Sequence, residues 1–88
     1  MNLKRLSDVE GMKVYTEDGL LYGEIRDAII MNNRVVGWKI ESIPGSILQK
    51  AMPDIGGVII QHRFVKAIGD IMIISSMVIP TEEGGEEG

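Results

Sequence analysis

The chain has 88 residues, 44% of them hydrophobic, with one histidine, no cysteine and a formal charge of −4. That length holds one domain with one core and a narrow stability margin. The composition excludes disulfides and thiolate metal sites, and the acidic balance argues against a nucleic-acid binder that works by neutralising phosphates.

Leu3, Leu6 and Val9 are spaced to tuck one apolar side under the edge of a sheet. Ser7 and Glu10 have capping-box spacing, but Gly11 stops a helix after one turn at most. Met1 to Arg5 runs into polar Ser7 and Asp8 without an apolar segment, so no secretory leader is read. The longest apolar stretch, Ile71 to Ile79, contains Ser75 and Ser76. It falls well short of the ~20 residues that span a bilayer. A cytoplasmic protein without membrane insertion is expected.

Residues 11–41 organise the rest as three β-type runs separated by two turns. Met12 to Thr16 is the first, with Val14 inward and Lys13 and Tyr15 on the other face. Glu17-Asp18-Gly19 breaks it, and Leu20 and Leu21 are expected to close one end of the core. Gly23 to Met31 is the second run; Gly23 reads as a bend or bulge where backbones approach closely. Alternation puts Ile25, Ile29 and Met31 on one face and Ala28 and Ile30 on the other, with Asp27 interrupting the apolar face. A carboxylate at a strand kink usually accepts hydrogen bonds from nearby amides, so Asp27 reads as structural. After Asn32-Asn33 the third run alternates Val36, Trp38 and Ile40 against Val35, Gly37, Lys39 and Glu41. Trp38, the one tryptophan, belongs to the core or its rim.

Residues 42–57 form the long connection. Pro44-Gly45 is a turn, Ser46 and Gln49 have capping-box spacing, and Pro53 ends the segment they open. A short helix is expected over Ile47 to Met52. Its apolar members, Ile47, Leu48 and Met52 among them, either lid the sheet or meet a partner. Val58 to Ile60 is a short strand, and Gln61 to Phe64 one tight turn containing solvent-facing His62. Val65 to Ile68 and Ile71 to Ile74 form a hairpin about a two-residue Gly69-Asp70 turn. Ser75 to Ile79 reads as an extension of the last strand, and Pro80 ends it. Residues 80–88 are expected to be a disordered acidic Gly/Glu tail behind a single domain over 1–79.

In order and spacing, Gly11, Val14, Asp18, Gly19, Gly23, Ile25 and Asp27 resemble the opening of the PRC-barrel family, G-x-x-V-x-x-x-D-G-x-x-x-G-x-[VI]-x-D. Val65 to Ile74, turning at Gly69 and Asp70, looks like the family's closing hairpin. The resemblance covers about Leu6 to Ile74. It implies an all-β fold: a small, six-stranded, closed or nearly closed barrel, here with one short helix in the central loop. It does not imply an enzyme.

The residues offer no catalytic or cofactor site. One histidine and no cysteine cannot build a histidine-rich metal centre or a catalytic triad. No phosphate-binding glycine loop is present, and four aromatics are too few for a base-stacking platform. A small barrel fills its middle with side chains, so function falls to the surface. Expected first is a protein-binding adaptor, working as a homodimer. The resemblance suggests archaeal-type cell division and a SepF-like anchor as partner. Met77, Val78 and Ile79 are the expected self-association contacts, as an unpaired strand edge. Ile47, Leu48 and Met52 are the expected partner contacts. The alternative is an RNA-processing or ribosome-assembly factor by analogy with RimM, using Lys4, Arg5, Lys13, Arg26, Lys39 and Lys66 as a basic stripe.

Overall fold

The computed structural model describes residues 6–77. A single helical turn, α1 (Leu6–Val9), leads into β1 (Lys13–Thr16), β2 (Leu21–Met31) and β3 (Arg34–Glu41). A short helix, α2 (Ile47–Ala51), is followed by β4 (Gly57–Gln61), a 3-10 turn (His62–Phe64), β5 (Val65–Ile68) and β6 (Met72–Ile74). The six strands form one sheet in the order β4-β3-β2-β1-β6-β5. Every pairing is antiparallel except β1 with β6. No helix of the described residues is long and apolar enough to cross a membrane.

The turns form where the residue types allow. Asn32 and Asn33 adopt φ of 51° and 65°, left-handed values that asparagine tolerates and a two-residue hairpin turn requires. Gly11, Gly19 and Gly45 also have positive φ. Ser46 caps α2: its hydroxyl accepts from the Gln49 and Ile43 amides, each at 3.1 Å. The Gln49 side chain in turn accepts from Gly45 N–H at 2.9 Å.

The sheet curls but does not close. β4 and β5 are its two edges, joined only by the 3-10 turn. The turn's links go elsewhere: Ser75 N–H donates to the Phe64 carbonyl, and Trp38 of β3 donates to His62. The fold is thus one open six-stranded sheet, and of the expected closed or nearly closed barrel the closure is not seen. Inside it, Val14, Ile40, Met72 and Ile74 are fully buried. Burial of each such side chain contributes about 1.5–3 kcal/mol.

Two bulges shift the simple alternation. Arg26 is skipped in the pairing of β2 with β3, and Val36 in the pairing of β3 with β2. Each extra residue moves the following side chains to the opposite face. Ala28 and Val35 therefore pack against the core, while Ile29, expected with Ile25, lies outward beside Gly37. Tyr22 joins the core unforeseen and is fully buried, because β2 begins at Leu21 rather than Gly23. Leu20 stays exposed in the turn, where its amide donates to the Thr16 hydroxyl. The loop between β5 and β6 holds Gly69, Asp70 and Ile71, one residue more than expected, since Ile68 pairs with Met72.

Gly23 and Gly57 sit where chains cross closely. A Cβ at Gly23 would lie 2.7 Å from Ile40 Cγ2 and 2.8 Å from the Glu41 carbonyl oxygen. A Cβ at Gly57 would collide with the Ile40 carbonyl oxygen. Gly23→Ala and Gly57→Ala should each lower stability by about 1–3 kcal/mol in urea unfolding. Gly56→Ala, which meets open space, should change it by less than about 0.5 kcal/mol. Equal midpoints for all three would show that the strands spread freely.

Candidate functional site

Helix α2 is a lid. Leu48 and Met52 are buried, Leu48 over Gly23, and Ile47 packs against the core. Leu48 and Met52 are therefore not presented to a partner, contrary to that option. The cap at Ser46 and the close approach permitted by Gly23 press the helix onto β2.

The last strand does not run on as a free edge towards Met77, Val78 and Ile79. β6 ends at Ile74 and is paired on both sides, by β1 and β5. The chain turns beyond it: Met77 N–H donates to the Ser75 hydroxyl, and Ser76 N–H to Glu17 Oε2. Met77 is 82% exposed. Val78 and Ile79 lie outside the described residues, as do Leu3 and the acidic tail.

Leu20, Ile30, Ile55 and Ile71 are exposed singly, and one group of exposed apolar side chains lies on the outer side of β2, β3 and β4. Ile29 and Ile59 lean over Gly37 from the two flanking strands. Ile59 is 62% exposed and Met31, nearer the hairpin tip, 59%. Val58 and Ile60 point the other way, towards the core. The sequence marked Val58 to Ile60 as uniformly apolar and gave no sign that Ile59 would face water.

Several charges on the sheet have a carboxylate at hand, while Arg34 stands opposite Met31 in the register. Arg26 Nε lies 3.2 Å from Glu41 Oε1. Both groups are well exposed, so the pair adds little stability. Lys39 stands opposite Asp27 and Lys13 opposite Glu24 in the strand register. The expected basic stripe is not assembled from these residues; Lys4 and Arg5 lie outside the described residues. Among the described residues no group of three or more His, Asp or Glu is placed to hold a metal ion.

Trp38 and His62 form a side-chain bond that ties β3 to the 3-10 turn. Trp38 Nε1 donates to His62 Nδ1 at 3.0 Å, with the rings tilted and their centroids 6.1 Å apart. Trp38 is buried and His62 exposed, so the bond satisfies a core donor from the surface. Solvent-facing His62 thus has a partner that sequence reading missed; pairing across 24 residues of chain is invisible before folding.

The sequence pattern of the PRC-barrel domain family matches residues 1–78. The chain belongs to the PRC-barrel family. Among solved structures 16 chains match it. One is RimM of Pseudomonas aeruginosa, described as a putative 16S ribosomal RNA processing protein. It superposes with a TM-score of 0.62 at 17% identity, over 82% of this chain and 43% of its own. This chain therefore spans less than half of that protein, and the likeness is one of fold. No curated protein matches.

In this PRC-barrel domain the glycines of the opening motif sit at turns and at a close crossing of strands. Gly11 and Gly19 take left-handed turns, and Gly23 admits Ile40 and Leu48. Asp18 precedes Gly19 in the β1–β2 turn, and Gly69 N–H donates to the Ile71 carbonyl in the closing hairpin loop beside Asp70. Asp27 Oδ1 accepts from Ala28 N–H at 2.8 Å, at the bulge.

Removing His62 leaves the buried Trp38 N–H without its acceptor. His62→Ala should cost about 1 kcal/mol in urea unfolding and move the tryptophan emission; an unchanged midpoint and spectrum would show that the bond is not made in solution. Burial pushes the Tyr22 hydroxyl up to about 12 from 10.0. The folded state holds this proton more tightly, so stability is full below about pH 10 and falls as pH rises towards 12. The loss should reach on the order of 2–3 kcal/mol. Melting across that range, followed with tyrosinate absorbance, checks it against Tyr22→Phe, which should lack that part of the loss.

Proposed function

We propose that this chain is a protein–protein interaction module that works through its surface and not by catalysis. The carrying observation is the distribution of apolar side chains. The interior is filled by Val14, Tyr22, Ile25, Ile40, Met72 and Ile74. Meanwhile Ile59 and Met31 stand in water on the outer side of β4 and β2, with half-buried Ile29 beside Ile59. A patch of exposed apolar side chains on one flank is the mark of an interaction surface. The specific form of the reading is an adaptor in an archaeal-type cell-division apparatus, binding a SepF-like anchor; it rests on the family resemblance.

A second reading, an RNA-processing or ribosome-assembly factor, is favoured by the fold likeness to RimM. The charges weigh against it. Arg26 is bridged to Glu41, and Lys13 and Lys39 each stand opposite a carboxylate. A phosphate backbone needs free cations in a row.

Two titrations separate the readings. A purified SepF-like anchor should bind the chain with little dependence on salt, and structured ribosomal RNA should not bind at about 50 mM salt. RNA binding that weakens steeply as salt is raised to about 200 mM would replace the first reading with the second.

A further inference from the structure

The two edges of the sheet differ. β5 is short, carries Lys66, and has a register irregularity between Val65 and Ala67. Charge and irregularity are the usual means of keeping another strand off an edge. β4, Gly57–Gln61, has no charge, no proline and no irregularity in its pairing with β3.

Its free backbone groups can be assigned. Ser42 N–H donates to the Gly56 carbonyl at 2.8 Å. Hydrogen-bonded pairs alternate along an antiparallel ladder, so Ile40 with Val58 and Trp38 with Ile60 carry the next bonds. Gly57 and Ile59 therefore turn their N–H and C=O groups, and Gln61 its N–H, away from β3 to the open side, while the Gln61 carbonyl opens the 3-10 turn. Ile59, at the centre of that row, is also the most exposed isoleucine or leucine of the described residues.

We propose that this edge takes the β4 strand of a second copy, antiparallel, about a two-fold axis at Ile59. Gly57 of one copy then faces Gln61 of the other, and Ile59 faces Ile59. The row of backbone groups is its own complement under that rotation, as a two-fold interface requires. Charge points to the same occupant. The edge is neutral, and the nearest charged side chain on the outer face, Lys39, stands opposite Asp27. A strongly charged partner would find no counterpart here, whereas a second neutral edge would. The two bent sheets become one across the junction, and the Ile59 pair leaves water beside Ile29. A five-residue strand with one apolar pair falls short of the ~1,000 Å² of a stable interface. The dimer is thus weak and concentration-dependent. Each chain carries −4, so added salt screens the repulsion and strengthens it.

This inference rests on the protein-interaction reading and specifies one surface of it. Sedimentation of the full chain over a range of concentrations, beside Ile59→Lys and a chain ending at Ser76, tests it. Expected is a wild-type dimer that the shorter chain keeps and that Ile59→Lys weakens at least tenfold. Ile59 is exposed, so the lysine should leave the fold intact, which circular dichroism checks. Amide exchange supplies a second measurement. The Ile59 and Gln61 N–H groups should gain protection as concentration rises, while exchange at β5 stays constant. Loss of the dimer in the chain ending at Ser76, with Ile59→Lys unaffected, would move the contact to Met77, Val78 and Ile79 and overturn the β4 pairing. A chain that stays monomeric yet binds the SepF-like anchor would overturn the pairing and leave the interaction reading standing.

Discussion

The fold depends on a missing side chain. At Gly23 the long strand β2 passes so close to β3 that Ile40 and the Glu41 carbonyl occupy the space of a Cβ, with Leu48 of α2 just above. Any other residue there would push the sheet and the lid apart. Because the gap is closed, Leu48 is buried and the helix seals the interior instead of standing off it. β2 can then serve both neighbours, pairing with β1 through its first half and β3 along most of its length. Gly57 repeats the device where β4 crosses the Ile40 backbone.

The curl this produces brings the sheet's two ends near each other without joining them. The 3-10 turn His62–Phe64 carries the chain from β4 to β5, and it is held from two sides: by Trp38 on β3 and by Ser75 after β6. Both bonds use groups that would otherwise be buried or stranded at a strand end. An open sheet keeps two edges, and edges attract strands. One is blunted by Lys66 and an uneven ladder; the other is not. That asymmetry, together with the outward Ile59, is what singles out the β4 flank in the proposed pairing.

Electrostatics separates the possible partners. Arg26 is bridged, and Lys13 and Lys39 each face a carboxylate on the neighbouring strand. Around these three cations the surface is polar and locally neutral. Such a surface tolerates a protein neighbour and offers little to a polyphosphate chain. The likeness to RimM concerns the path of the backbone, and sites on a shared fold diverge freely.

Much was legible from the residues themselves. The Asn32-Asn33 and Pro44-Gly45 turns, the Ser46 cap, the hairpin closing at Gly69 and the buried faces of β1 and β3 at Val14, Trp38 and Ile40 follow from local preference and alternation. Asp27 bonding to its neighbour's amide at a kink was legible for the same reason. These are near-neighbour effects, and sequence order contains them. Alternation failed at Arg26 and Val36, because a bulge depends on how two strands fit and shifts every side chain beyond it. The chain order also placed the free edge at its last strand. Only the folded sheet shows that β6 lies inside it, between β1 and β5, and that β4 is left bare. The residues decided which segments become strands and where they turn; three-dimensional pairing decided which strands are left as edges, since that depends on contacts between segments far apart in the chain.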